Sequence, residues 1–214
     1  MKIVADEFDV GSILATKEYQ IPRRGTTSSV YADLSLIGAE VLFDTLVNLE
    51  ERLETAKPQP SEGVTKAPKA RKHHGKLNFT KMTSIEIDRK VRAFTGLIDV
   101  YAEWPLKFDC SIYLNDMVDP IDIEMMNLDQ CIHSFLKISH RLNPGSIYYH
   151  KSKRILCFKC CDNKWVGFES IKMSGKRKMT AIEFFNGFIA HHSKKGLIQV
   201  DCSGKLIENK QVKT

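Results

Sequence analysis

A basic, proline-broken connector running straight into a capped helix divides this 214-residue chain and limits what each side of it can become. Between Gly63 and Gly96 the sequence reads G-V-T-K-A-P-K-A-R-K-H-H-G-K-L-N-F-T-K-M-T-S-I-E-I-D-R-K-V-R-A-F-T-G. The first half carries Lys66, Lys69, Arg71, Lys72 and Lys76 around Pro68 and Gly75. The second half reads as a helix start. Thr83, followed three residues later by Glu86, fits a capping box, in which a hydroxyl and a carboxylate satisfy orphan backbone N–H groups. Ile85, Val91 and Phe94, with Ile87 and Lys90 between them, give the period of a helix that buries one face. A charged connector leading into a capped helix is how a new domain begins.

Upstream of the connector, residues 2–14 read as a short strand, an acidic turn closed by Gly11 and a second apolar run, and residues 16–22 alternate as a strand would. Thr26, Thr27, Ser28 and Ser29 then offer N-caps for a helix with apolar residues Val30, Leu34, Ile37, Val41, Leu42, Leu46, Leu49 and Leu53. That helix needs a partner surface, and residues 1–25 are too few to supply one. The pattern is that of the last helix of a larger α/β domain whose sheet lies upstream. Pro58, Pro60 and Gly63 end it.

Downstream, strands are expected near 100–108 and 110–114. The stretch 116–140 is expected to be partly helical, with Met125, Leu128, Ile132, Phe135 and Leu136 on one side. After the Pro144-Gly145 turn come three strands, at 146–150, 154–161 and 165–172, the last two joined by Asp162-Asn163-Lys164. Thr180 and Glu183 form a second capping box for a helix containing Ile182, Phe185 and Ile189. The tail from His191 is basic and poorly patterned. Short strands edged by helices suit a small barrel of the oligonucleotide-binding type.

The net charge of +6 favours an anionic partner, and its position says more than its size: it gathers at 66–76, at 172–178 and near the C-terminus. Nothing resembles a secretory signal or a bilayer-spanning run, so the six cysteines are expected to be reduced thiols. Cys157-x-x-Cys160-Cys161 has ligand-like spacing but no second pair at finger-like distance, and reads as strand cysteines rather than a zinc site. The pairs His73-His74 and His191-His192 read as surface or RNA-facing. There is no Gly-rich phosphate loop.

The run A-P-K at 67–69, followed after a gap by R-A-F at 92–94, is similar to the linker and domain start of methionyl-tRNA formyltransferases. S-G-K-R-K-M-T-A-I-E-F-F-N-G-F at 174–188 resembles the closing motif of that family. P-G-S-I-Y-Y-H-K at 144–151 and D-N-K-W-V-G-F at 162–168 resemble the same domain in its eukaryotic organellar versions. The acidic turn V-A-D-E-F-D-V-G, residues 4–11, resembles the catalytic turn of folate-dependent formyltransferases, which makes Asp9 the implied catalytic aspartate. In the family it works with an Asn-x-His segment and a Ser-Leu-Leu-Pro loop, in proton transfer and oxyanion stabilisation. Neither segment occurs in this chain. After R-A-F the sequence T-G-L-I-D-V replaces the proline-rich turn usual in bacterial members.

The resemblance implies an α+β fold: the C-terminal remnant of an α/β formyltransferase domain over 1–55, a basic linker over 56–82, an OB-like barrel with flanking helices over 83–190, and a basic tail over 191–214. The complete enzyme would transfer a formyl group from 10-formyltetrahydrofolate to the amino group of methionyl-tRNA, in mitochondria and as a monomer. This chain alone would bind no folate and be inactive, Met1 then being an internal methionine of a longer protein. The implied tRNA-contacting residues are Lys66, Lys69, Arg71, Lys72, Lys76, Arg92, Lys176, Arg177 and Lys178. A non-enzymatic RNA-binding module is the alternative; a folate-only relative, such as the hydrolase domain of formyltetrahydrofolate dehydrogenase, fits the basic segments less well.

Overall fold

The computed structural model describes residues 10–106, 110–136, 141–193, 195–200 and 207. The chain forms two compact units that divide between Ala70 and Arg71, inside the basic segment 56–82.

In the first unit, the Thr26 hydroxyl accepts the Ser29 N–H at 3.3 Å while Ser29 Oγ accepts the Thr26 N–H at 3.0 Å. This reciprocal cap opens helix α1, Thr27–Val47, which Asn48 separates from a short α2, Leu49–Glu54. The apolar side chains of α1 are not confined to the expected stripe. Leu36, Phe43 and Val47 are 69%, 72% and 66% exposed, and Leu34, Leu42 and Leu46 are exposed as well. Asp33, Glu40 and Asp44 share one narrow side of α1, and apolar residues occupy most of the rest of its circumference. The alternating stretch 16–22 forms no strand. A strand needs a neighbour for its backbone groups, and among the described residues of this unit the β pairing is a single bridge, Ile13 with Lys57.

The second unit is built on an antiparallel sheet of seven strands: β1, Tyr101–Glu103; β2, Ser111–Met117; β3, Ile147–His150; β4, Ile155–Lys159; β5, Trp165–Met173; β6, Lys178–Thr180; and β7, Leu197–Ile198. The order across it is β1-β2-β5-β4-β3-β7, with β6 hairpinned onto β5. Strand period two puts alternate residues on opposite faces, and in the central strands both faces are covered. Ile147, Tyr149, Leu156, Phe158, Val166 and Phe168 enter one apolar cluster, together with Ile87 and Val91 of helix α3, Ser84–Phe94, and with Phe184 of helix α6, Ala181–Phe184. Tyr148, Ile155, Cys157 and Trp165 enter another, under α4, Pro120–Met125, and α5, Leu128–Leu136. The mixture of helices and an antiparallel sheet is the expected α+β class.

Both predicted capping boxes are present. Thr83 Oγ1 accepts the Glu86 N–H at 3.2 Å and the Glu86 carboxylate accepts the Thr83 N–H at 2.8 Å; Thr180 and Glu183 repeat the arrangement. Asp162, in the β4–β5 turn, accepts from the Ser84 N–H at 3.0 Å and its hydroxyl at 2.7 Å, which ties the start of α3 to the sheet. The inward face of α3 differs from the expected one: Ile87 is fully buried, while Ile85 is 56% exposed. Similarly, Asn127 at φ 45° breaks the 116–140 helix into α4 and α5, so Ile123, Leu128 and Ile132 point inward while Met125 and Phe135 point outward. The buried Lys159 ammonium is clamped by both carboxylate oxygens of Asp129, at 2.5 and 2.7 Å, and Asp129 also accepts the Trp165 indole N–H at 3.0 Å. The core takes in Leu77 and Phe79 ahead of residue 83, and Ile198 beyond residue 190, where no strand was expected.

Candidate nucleic-acid interface

The ladder registers place Tyr101 opposite Tyr113, Tyr113 opposite Lys172, and Lys172 opposite Lys178. Directly opposed residues share a face, so these four side chains form one row across β1, β2, β5 and β6, about 14 Å wide at the usual strand spacing. The residues of opposite parity, Ala102, Ile112, Leu114, Ile171 and Met173, are in the core. The row therefore faces outward.

Lys72 joins it from the side. It begins a 3-10 turn, Lys72–Gly75, stabilised by the Arg71 N–H donating to His74 Nδ1 at 3.1 Å. Gly75 is buried against the backbone at Asp99 so closely that a Cβ there would lie 2.4 Å from the Asp99 carbonyl oxygen. Leu77 then donates its N–H to the Tyr101 carbonyl at 2.7 Å. Held in this way, Lys72 Nζ lies 5.9 Å from the Tyr101 ring centre and 6.0 Å from that of Tyr113, and Lys172 Nζ lies 5.7 Å from Tyr113. The two rings are 6.0 Å apart.

At the far end of the row is the turn between β5 and β6. Gly175 adopts φ +75°, the left-handed conformation a tight turn requires, and the Lys176 N–H donates to the Met173 carbonyl at 2.9 Å. Lys176, Arg177 and Lys178 are all exposed. Arg177 pairs with Glu183 at 2.7 Å, and Lys178 with Asp116 at 2.8 Å. The Arg177 guanidinium first, and then the Thr180 N–H and hydroxyl, hold the Glu183 carboxyl down to about 2. The Lys178 ammonium and the Ser170 hydroxyl likewise lower that of Asp116. Both carboxylates stay charged near neutrality. They orient the basic side chains but leave them solvated, since exposed pairs of this kind are weak and can exchange for phosphate.

Of the residues singled out from sequence, Lys72 and Lys178 thus lie on one face, with Lys176 and Arg177 in the adjoining turn. Arg71 is exposed beside Lys72. Lys76 is exposed and paired with Glu103 of β1, a pair as exposed as those of Arg177 and Lys178. Arg92 is half-buried and engaged by Asp88 at 3.0 Å within its own helix. Lys66 and Lys69 are exposed but belong to the first unit. Asp9 lies outside the described residues. Sequence reasoning missed Tyr101 and Tyr113 as interface residues and counted Lys172 only within the charged stretch 172–178; the readable signal was the tyrosines spaced to alternate with core residues in two short strands.

Cys157 and Cys160 are buried on opposite faces of the sheet, and burial pushes both thiols well above the ordinary range, which makes them poor ligands and nucleophiles. Among the described residues no cluster of histidine, cysteine and carboxylate side chains could hold a metal ion. No helix among them is long and apolar enough to cross a membrane.

Residues 69–189 match the family described as formyl transferase, C-terminal domain. The chain is 35% identical over 190 residues to the mitochondrial methionyl-tRNA formyltransferase of Bos taurus, and 33% identical to that of Homo sapiens, covering 88% of this chain and 45% of each relative. It therefore spans about half the length of the curated relatives it matches. Among solved structures, HypX from Aquifex aeolicus in complex with tetrahydrofolic acid superposes with a TM-score of 0.55 at 15% identity, over 86% of this chain and 29% of that one. That likeness concerns the fold. More than half of the chain lies within the matched domain, and the chain belongs to the formyltransferase family by its C-terminal domain.

Proposed function

We propose that this chain is the tRNA-holding part of a mitochondrial methionyl-tRNA formyltransferase. The complete enzyme transfers the formyl group of 10-formyltetrahydrofolate to the amino group of methionyl-tRNA. The observation that carries the reading is the gathering of Lys72, Lys172 and Lys178 on one outward face, beside Lys176 and Arg177, because clustered ammonium and guanidinium groups bind a phosphate backbone by releasing its counterions. The methionyl-tRNA formyltransferase relatives supply the kind of RNA.

On this reading the second unit is an OB-like barrel, the linker that follows the acceptor stem is the part of the basic segment ahead of it, residues 56–70, and the largely apolar α1 packs in the catalytic domain as its last helix. The protein works as a monomer. The concave surface of the first unit does not fit a folate. Two of its charged pairs are closed on themselves, Lys17 with Glu40 at 2.8 Å and Arg52 with Asp44 at 2.6 Å, and its lining among the described residues offers no aromatic ring for a pterin. The folate belongs to the rest of the enzyme, where an Asn-x-His segment would work with Asp9.

The test has two parts. The 214-residue chain is expected to bind initiator tRNA with a steep salt dependence, and Lys176→Ala and Arg177→Ala should each flatten the log–log slope by about one. The same chain should show no formyl transfer, whereas a protein that adds the upstream domain should transfer. Turnover by residues 1–214 alone, or no tRNA affinity at low salt, would overturn the reading. A complete protein that binds tRNA without turnover would instead mark a non-enzymatic module.

A further inference from the structure

We propose that Tyr101 and Tyr113 form a stacking site for unpaired nucleotides of the bound RNA, with Lys72, Lys172 and Lys178 holding the neighbouring phosphates. The inference rests on the RNA-binding reading above and adds to it the state of the RNA: single-stranded at this face.

Two large rings side by side on the outward face of a sheet are not explained by packing, since the core is formed by the residues of opposite parity. Both rings are half-buried, so each keeps part of its surface in water. The lysine contacts are at the outer limit for a cation–π interaction, about 6 Å, where the attraction is weak and an ammonium group is readily drawn away by a phosphate. A base can then take the ring face. Beside Tyr113 the surface continues as an open groove of about 650 Å³ lined by Lys72, Gly96, Leu97, Ile98 and Asp99, with room for a nucleotide next to the ring. Duplex RNA would leave the rings idle, because its base faces are stacked within the helix; its phosphates need only the lysines and the 176–178 turn. Aromatic rings interleaved with cations are what an unpaired strand uses.

The experiment measures binding of the 214-residue chain by fluorescence anisotropy to three labelled RNAs: an unstructured uridine ten-mer, a blunt duplex and initiator tRNA. Tyr101→Leu and Tyr113→Leu are each expected to weaken the ten-mer about fivefold or more and to change the duplex less than twofold. Tyr113→Phe should keep the affinity for both, and Lys172→Ala should weaken both. Independently of any substitution, ultraviolet cross-linking of a 4-thiouridine ten-mer to the unaltered chain should give adducts on Tyr101 or Tyr113. Leucine variants that bind the ten-mer as the unaltered chain does, or adducts confined to other residues, overturn the stacking site. If the chain binds duplex and tRNA but not the ten-mer, the stacking site alone falls; if it binds none of the three, the RNA-binding reading falls with it.

Discussion

Glu183 serves two structures at once, accepting from the Thr180 backbone to cap α6 and from Arg177 to fix the β5–β6 turn. Its folded-state carboxyl is held near 2, against an ordinary value of 4.5. A depressed carboxyl contributes stability that is fully present above the unfolded value, and the contribution disappears as pH falls through the folded one. The unaltered chain should therefore melt above Glu183→Gln at neutral pH, by a small margin because the carboxylate is solvated. The two melting curves should converge between pH 4.5 and pH 2, which thermal scans across that range would check. A gap that persists unchanged to pH 2 would mean that the carboxylate contributes nothing there. Residue-scale features of this kind were legible in advance: both capping boxes are exchanges between residues three apart, and no distant neighbour is needed to see them. The orientation of Ile85 was not, because Ile85 and Ile87, two residues apart, lie on nearly opposite sides of α3 and only the position of the sheet decides that Ile87 is the one covered.

At the scale of elements, the 3-10 turn that presents Lys72 depends on having no side chain at residue 75. Gly75→Ala would drive a methyl group into the Asp99 carbonyl, and backbone cannot yield as the end of a flexible side chain can. Overpacking of this sort costs about 1–3 kcal/mol, and the displaced turn should also carry Lys72 off the rings. Urea unfolding and RNA anisotropy on the same preparation would check both, and an alanine variant unchanged in either would contradict this account. The alternation of each tyrosine was readable within its own strand, but the row they make with Lys172 was not, for a reason that belongs to this scale. Tyr113 and Lys172 become neighbours only through the pairing of β2 with β5, across 59 residues of chain (172 − 113), and nothing local announces that register. The alternation at 16–22 shows the reverse: a strand-like pattern remains coil when the described residues bring it no partner.

For the whole molecule, the exposed apolar side chains of α1 set the behaviour of the isolated chain. Tyr31, Leu36, Phe43 and Val47 form more apolar surface than a free-standing domain normally shows to water. The 214-residue chain is expected to bind a hydrophobic dye and to self-associate, and Leu36→Glu combined with Phe43→Lys should reduce both. Sedimentation and dye fluorescence would measure this, and a monodisperse, dye-silent parent would show the helix to be covered already. The expectation of a larger domain comes from the spacing of its apolar residues, which are too many for the few residues before the helix to cover.

The last strand carries a different consequence. β7 is two residues long, yet it covers the outer edge of β3 by pairing Leu197 with Tyr148 and Ile198 with Ile147. Were it to detach, β3 would present unpaired amides and carbonyls as a template for another copy's strand. The cheapest replacement would be the identical strand of a neighbouring molecule, with the same contacts made in trans. In a concentrated preparation, this short clasp is where exchange between molecules would begin, yielding a swapped dimer in which each sheet is closed by its partner's last strand.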